Sequence, residues 1–97
     1  MPNQAQPAVF LDRDGVLIEN VPTYVRTWDE VHIFPFTQKS LERLKDLGLP
    51  VFVITNQALI GKGVISLNDA QSLHNRIIEA SDPYHAIVKS YLCPHRS

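Results

Sequence analysis

Two aspartates separated by one residue are the most chemically capable group in the sequence. Asp12 and Asp14 lie in the run Asp-Arg-Asp-Gly at positions 12–15. In extended backbone, residues two apart point the same way, so both carboxylates would lie side by side. Adjacent negative charges are unstable unless a cation joins them, and carboxylate oxygens suit Mg²⁺. With the metal bound, one carboxylate could attack a phosphorus atom while the other protonates the leaving oxygen.

A buried strand would have to position this pair. Residues 8–11 are continuously apolar and end at the charge of Asp12, which predicts a strand buried on both faces. Asp and Gly are also common turn residues, so positions 12–15 taken alone could form no more than a turn. Their place directly after a buried strand favours a ligand site.

Four more regular elements follow along the chain. Leucines at three-residue steps indicate a helix, and continuous β-branched runs indicate buried strands. The predictions are a long loop with a small hairpin over 15–35, a helix capped by Thr37 and stopped by Gly48 and Pro50, a strand at 51–54, a helix capped by Ser66 and ending near Pro83, and a strand at 86–92. The order β-α-β-α-β predicts an α/β fold. It is a partial doubly wound, Rossmann-like parallel sheet with right-handed crossovers and helices covering its faces.

Polar residues follow each of the three predicted strands. They are the segments 12–14 (Asp-Arg-Asp), 55–57 (Thr-Asn-Gln) and 93–95 (Cys-Pro-His). Ligands bind outside the carboxyl ends of parallel strands, so we expect these segments to meet at one edge. The Thr55 hydroxyl and nearby backbone N–H groups would be good donors to a phosphoryl group. Thr55 alone would more often serve a cap or a turn, but Asp12 in the neighbouring strand favours the catalytic role.

Composition excludes several classes of function. Ninety-seven residues, 44% of them hydrophobic and 20% charged, predict one domain, with a polar leader over 1–7. Nine Lys and Arg against ten Asp and Glu give a net charge of −1, which argues against a nucleic-acid partner recognised by bulk charge. The leader has no basic residue ahead of an apolar stretch, so neither a signal peptide nor a membrane anchor is expected. One cysteine excludes an internal disulfide, and the cytoplasm is the default location.

Three segments together resemble the haloacid dehalogenase-like phosphatases. They are VFLDRDGV at 9–16, VITNQ at 53–57 and Cys-Pro-His at 93–95, and the match runs from Ala8 to His95. Within the superfamily they are most similar to the branch of histidinol-phosphatases and D,D-heptose 1,7-bisphosphate phosphatases. The resemblance implies the N-terminal part of that fold. It also implies a Mg²⁺-dependent phosphatase of a small sugar phosphate, first D-glycero-D-manno-heptose 1,7-bisphosphate and alternatively histidinol phosphate.

The resemblance also implies roles for single residues. Asp12 matches the nucleophile that forms an aspartyl-phosphate, and Asp14 matches the general acid and base. Both would hold Mg²⁺, Asp12 by its carboxylate and Asp14 through its backbone carbonyl. Thr55 matches the residue that donates a hydrogen bond to the phosphoryl group, with Asn56 and Gln57 beside it at the substrate.

Three peripheral segments are less decisive. Tyr24 aligns with a substrate loop over 20–26, although a packing tyrosine is as good an interpretation. Residues 58–63 depart from the family's usual pattern, and Lys62 lacks the bidentate fork of the arginine that is common there. Cys93 and His95 match the first half of a structural zinc loop whose second half, a Cys-x-Cys, is absent from this sequence. A complete zinc site within the chain is therefore not expected. His32, His74 and His85 have no partner at ligand spacing and are expected to be surface or partly buried histidines.

Members of the family carry two further motifs, a lysine and an acidic residue, on later strands. We therefore expect this sequence to be a fragment of a longer protein, rather than a natural truncation or half of a split enzyme. Strand one would then be an exposed edge, and the chain should self-associate or be poorly stable. An inactive remnant that only binds is the alternative to an enzyme. A receiver-like signalling module is disfavoured, because Cys93 stands where such a module needs an aspartate.

Overall fold

Three parallel strands and the helices between them make up the described part of the chain, residues 7–22 and 25–93 of a computed structural model. The elements are β1 (Val9–Asp12), a 3₁₀ helix (Trp28–Glu30), α1 (Thr37–Asp46), β2 (Val51–Asn56), α2 (Ala58–Gly61), α3 (Leu67–Ser81) and β3 (Ile87–Cys93). The predicted α/β class and the order β-α-β-α-β are confirmed, and α2 is an extra turn of helix. Among the described residues, no helix combines the length and apolar content that a membrane crossing needs.

The sheet has the order β1-β2-β3, and both pairings are parallel. Asp12 pairs with Ile54, and Asn56 pairs with Cys93. A register shift next to Val51 leaves Val88 as one extra residue in β3. The carboxyl ends of the three strands therefore lie together at one edge, as the polar segments after them predict.

One face of this sheet carries the core. Along β2 the odd-numbered residues are buried, and Val51 and Val53 are completely inaccessible to solvent. Leu41 of α1 and Ile77 of α3 belong to the same apolar cluster as these two valines. Both long helices consequently cover the same face of the sheet.

The prediction that β1 is buried on both faces is wrong. Phe10 is 65% exposed, and its ring stacks on Phe52 of β2 with centroids 5.3 Å apart. Ile54 and Tyr91 are also exposed on this face. The apolar run suggested cover on both sides, but within the described residues both long helices pack on the opposite face. Hence the expectation of helices on both faces is not met here.

Thr37 begins α1 but does not cap it, contrary to the prediction. The N-cap is Phe36, and the Thr37 hydroxyl donates a hydrogen bond of 2.6 Å to the carbonyl oxygen of Leu17. This buried bond ties α1 to the loop after β1. The predicted cap of α3 is confirmed, since the Ser66 hydroxyl accepts the backbone N–H of Asp69 at 3.1 Å.

The long loop after β1 packs into the core. Leu17 and Ile18 are buried in the apolar cluster, and Ile18 forms an antiparallel bridge with Ile33. The backbone N–H of Glu19 donates to the carbonyl of His32 at 2.8 Å. The predicted small hairpin is thus present as a short antiparallel contact, which fixes the segment that follows Asp14.

Candidate functional site

A cleft of about 270 Å³ opens at the carboxyl edge of the sheet. It is bounded by the end of β1, the turn after it, a residue of the long loop and the end of β2. Its lining residues are Asp12, Arg13, Asp14, Asn20, Ile54, Thr55 and Asn56. Two carboxylates, two amides and one hydroxyl therefore share one hollow, which is a donor set for a cation and an anion together.

A tight turn presents Asp14 to this cleft. The carbonyl oxygen of Arg13 accepts the N–H groups of Leu17 and Ile18 at 2.9 and 3.2 Å, and the Gly15 N–H donates to the carbonyl of Ile18 at 2.7 Å. Gly15 has a φ of 88°, and a Cβ there would lie 2.7 Å from the Asn20 side-chain nitrogen. Positions 12–15 thus form a turn, and three of these residues also line the cleft, while their use as a ligand site stays a prediction.

Arg13 places a positive charge beside Asp14. Its side chain is buried, with 1% of the residue exposed, and its Nε donates to Asp14 Oδ1 at 2.6 Å. The Asp14 carboxylate therefore does not depend on a metal alone for charge compensation. The Asp14 side chain keeps 18% of its surface exposed, so it remains open to a ligand while one oxygen is held.

Gln57 orients Thr55 from behind the cleft. Both residues are buried, and Gln57 Nε2 donates to Thr55 Oγ1 at 2.9 Å. The backbone N–H of Gln57 donates to the carbonyl of Cys93 at 2.9 Å, which fixes Gln57 against β3. Since the Thr55 oxygen already accepts a hydrogen bond, its own proton remains available for donation to a third group.

His74 is a buried part of this region that sequence reasoning missed. It is completely inaccessible to solvent, which corrects the expectation of a surface or partly buried histidine. Its Nδ1 lies 3.2 Å from Arg13 Nη1, and its Nε2 lies 3.0 Å from Ser90 Oγ. Burial first, and then the positive charge of Arg13, lower the pKa of His74 to about 4, against the opposing effect of Asp14. The available signal was its helical spacing, because Ala70 and Ile77 mark the same inward face of α3.

A larger hollow elsewhere does not compete with the cleft. It measures about 330 Å³ and lies on the exposed surface of α1, lined by Lys39, Ser40, Glu42, Arg43 and Asp46. All five side chains come from one helix, so the hollow is a gap between long surface side chains. No second element brings a group to it.

The cleft fits Mg²⁺ better than it fits zinc. Within residues 7–22 and 25–93, no three His, Cys, Asp or Glu side chains come together. A zinc cage needs four protein ligands, or three in a catalytic site, whereas Mg²⁺ is commonly held by one or two carboxylates with water and substrate phosphate. The Asp12 carboxylate meets that requirement at the cleft, while the Asp14 carboxylate is already paired with Arg13.

Curated proteins similar to this chain are sugar-phosphate phosphatases. The D-glycero-beta-D-manno-heptose-1,7-bisphosphate 7-phosphatase of Rhodopseudomonas palustris is 34% identical over 91 residues, which cover 93% of this chain and 50% of that protein. The enzyme of the same name from Haemophilus ducreyi is 35% identical over 91 residues, which cover 91% of this chain and 49% of that protein. The chain thus spans about half the length of these relatives. No protein-family model matches it.

Solved structures agree on the fold. A HAD-like phosphatase structure from Mesorhizobium loti superposes with a TM-score of 0.78 at 25% identity, covering 94% of this chain and 44% of that one. The relatives and this structure support the haloacid dehalogenase-like phosphatases as its family. The D,D-heptose 1,7-bisphosphate phosphatase of B. bronchiseptica, solved with magnesium and phosphate, superposes with a TM-score of 0.80 at 24% identity. The superposition covers 93% of this chain and 51% of the B. bronchiseptica chain.

The predicted site residues of the chain divide into three groups. Asp12, Asp14, Thr55 and Asn56 line the cleft together, whereas Gln57 lies behind it. Tyr24 and His95 lie outside the described residues. Cys93 ends β3 as a half-buried free thiol, so the zinc hypothesis concerns one described residue and one that is not described, and it stays a prediction.

Proposed function

We propose that this chain carries the phosphoryl-transfer centre of a magnesium-dependent phosphomonoester hydrolase. The observation that supports it most is the shared cleft, in which Asp12, Asp14 and Thr55 meet although 43 positions separate Asp12 from Thr55 in the sequence. A hydrolase of this kind needs a nucleophile, a proton donor and a hydrogen-bond donor around one phosphorus atom. The cleft offers one residue of each type.

In the proposed reaction, a carboxylate oxygen of Asp12 attacks phosphorus and the ester P–O bond breaks. Asp14 gives its proton to the departing alkoxide oxygen, and Asp12 now carries an acyl phosphate. Asp14 then takes a proton from a water molecule, which attacks the same phosphorus and releases inorganic phosphate and the free Asp12 carboxylate. Thr55 donates its free proton to a phosphoryl oxygen throughout, a contact that strengthens as negative charge develops there.

Magnesium would be held by the Asp12 carboxylate and the backbone carbonyl of Asp14. When bound, it would neutralise the negative charge shared between the aspartates and the phosphoryl group. Arg13 contributes part of the same compensation through Asp14. The B. bronchiseptica phosphatase was solved with magnesium, which supports magnesium as the metal of the proposed reaction.

The proposed substrate is D-glycero-D-manno-heptose 1,7-bisphosphate, with the reaction part of carbohydrate metabolism in the cytoplasm. The names of the relatives support a heptose bisphosphate over histidinol phosphate. Because the chain spans about half of those proteins, a second candidate is a remnant that binds Mg²⁺ and phosphate without turnover.

Phosphate release is the test of the proposed function. Heptose 1,7-bisphosphate and histidinol phosphate are each incubated with the chain, with and without Mg²⁺. We expect Mg²⁺-dependent release from the heptose substrate that Asp12→Asn lowers by at least about a thousandfold, since the nucleophile is lost. Asp29→Asn, an exposed aspartate outside the cleft, is the matched control and should behave as the parent chain.

Release that is unchanged by Asp12→Asn contradicts the proposal. Mg²⁺ and phosphate binding by calorimetry without release would identify the remnant.

We also propose that two copies of the chain associate through the edge of β1 and the open sheet face. Phe10 supports this, because a stacked aromatic ring that is 65% exposed at the edge of a sheet invites pairing. A chain that stays monomeric in sedimentation at high concentration contradicts it.

A further inference from the structure

A series of contacting polar side chains connects the cleft to β3, the strand at the opposite edge of the sheet from β1. It runs from Asp14 through Arg13 and His74 to Ser90, with distances of 2.6, 3.2 and 3.0 Å. Arg13 and His74 are among the most buried side chains of the described residues, at 1% and 0% exposure. Of the four residues, Arg13 and Asp14 line the cleft, and Asp14 is the more exposed of the two, with 18% of its side-chain surface exposed. His74 and Ser90 lie outside the cleft lining and can act on it only through these two residues.

The direction of each hydrogen bond follows from the donors available. A guanidinium can only donate, so His74 Nδ1 must be the acceptor and carry no proton. The neutral ring then holds its proton on Nε2, which donates to Ser90 Oγ. One tautomer of His74 therefore satisfies both neighbours.

Burial makes the acceptor on His74 important for Arg13. The Nε of the guanidinium is paired with Asp14 and one terminal nitrogen is paired with His74, while Nη2 has no partner among the described residues. Without His74, both terminal nitrogens of a buried cation would be unpaired, and the side chain would have to leave its place. The Arg13 Nε, and with it the held oxygen of Asp14, would move as well.

We propose that His74 is a positioning residue for Asp14, acting through Arg13. This inference rests on the proposed function, in which Asp14 is the general acid and base. The contact to Ser90 fixes the tautomer of His74, and α3, on which His74 sits, anchors the far end of the Arg13 side chain. The exposed oxygen of Asp14 is thereby held in one place at the cleft.

Two amide substitutions test the two ring nitrogens of His74 separately. In His74→Asn the side-chain oxygen can occupy the place of Nδ1 and still accept from Arg13, whereas in His74→Gln the amide reaches the place of Nε2 and serves Ser90 instead. Both variants are polar and lack the ring. Ser90→Ala is the third variant, because it removes only the contact at the far end.

Nuclear magnetic resonance of the Arg13 Nε–H group gives a readout that does not need activity. In the parent chain we expect this proton to exchange slowly with solvent, because it is buried and bonded to Asp14. Slow exchange should persist in His74→Asn and be lost in His74→Gln. Equal protection in the two variants overturns the proposal, and so does a proton on Nδ1 of His74 in the parent chain.

Kinetics then tests whether the held oxygen matters to the reaction. We expect His74→Gln to lower kcat by about 10- to 100-fold relative to His74→Asn, with KM little changed, as is typical when a supporting group misplaces a reacting one. Ser90→Ala should have a kcat similar to that of His74→Asn. Equal kcat in the two His74 variants, both folded by circular dichroism, overturns the proposal. A parent chain without turnover counts against the proposed function, while the Nε–H exchange still decides the position of Arg13.

Discussion

At the scale of the residue, Arg13 joins two systems of contacts. Its carbonyl oxygen accepts the N–H groups that close the turn after β1, and its side chain links Asp14 to His74. A buried arginine is costly unless its donors are paired, so the turn and the helix α3 depend on each other at this point. His74 and Gly15 are the two neighbours whose replacement measures that dependence.

His74 makes the stability of the chain fall in mild acid. The pKa of His74 is about 4 in the folded chain, against an ordinary value of 6.5. As pH falls, the unfolded chain therefore binds the proton before the folded chain does. The stability that the neutral, buried ring contributes is fully present above pH 6.5. It is lost as pH falls towards 4, and the loss in the free energy of unfolding is about 3 kcal/mol at most. Urea unfolding between pH 4 and 7 should show this loss in the parent chain beyond that of His74→Asn, which has no titrating group at position 74. Parallel pH profiles for both would refute it.

Gly15→Ala should damage ligand binding more than stability. The positive φ costs an alanine about 1–2 kcal/mol, and the new Cβ meets the Asn20 amide, which can rotate away because it is exposed. Rotation takes Asn20 out of the cleft. Gly48→Ala is the matched control, with a φ of 74° and nothing within 4 Å of its Cβ. Both should lose similar stability, but only Gly15→Ala should weaken Mg²⁺ and phosphate binding in calorimetry. Equal binding by the two variants would disprove the role of the turn.

At the scale of the element, the junction between α3 and β3 sets the register of the last strand. Asp82 caps the end of α3, and its carboxylate accepts the N–H groups of Ala86 and Ile87, both at 2.8 Å. His85, which lies between Asp82 and Ala86 in the sequence, has a left-handed φ of 55°. One side chain thus holds the start of β3, which in turn places Ser90 opposite His74.

Asp82→Ala should lower the free energy of unfolding by about 3 kcal/mol, because it leaves two N–H groups at a buried strand end without a partner. Asp46→Ala removes an exposed aspartate from the last turn of α1 and should change stability by no more than about 0.5 kcal/mol. Chemical denaturation of the two variants checks the difference. Losses of equal size would mean that the Asp82 carboxylate does not anchor β3.

At the scale of the whole molecule, the sheet is covered on one side and open on the other within the described residues. Phe10, Ile54 and Tyr91 are exposed on the open face, and β1 is its edge. An apolar face beside a free strand edge favours association, so the state of the chain should depend on concentration.

Phe10→Lys should shift the chain towards the monomer. A lysine at the edge strand puts a charge in the face and opposes pairing. Tyr84→Lys adds the same charge at an exposed aromatic residue of the turn between α3 and β3, away from the sheet, and should leave association unchanged. Sedimentation equilibrium of the parent and both variants is the measurement. If both substitutions act alike, net charge rather than the sheet face governs association.

Local pattern accounts for much of the fold and part of the site. The apolar runs at 9–11 and 51–54, the Ser66 cap and the polar residues after each strand are properties of neighbouring positions, so the sequence determined the α/β class and the candidate residues Asp12, Asp14 and Thr55. Tertiary packing decided the remainder, since contacts between distant positions leave no local periodicity. It placed both long helices on one face, turned the Thr37 hydroxyl towards the carbonyl of Leu17, and brought His74 to Arg13 across 61 positions.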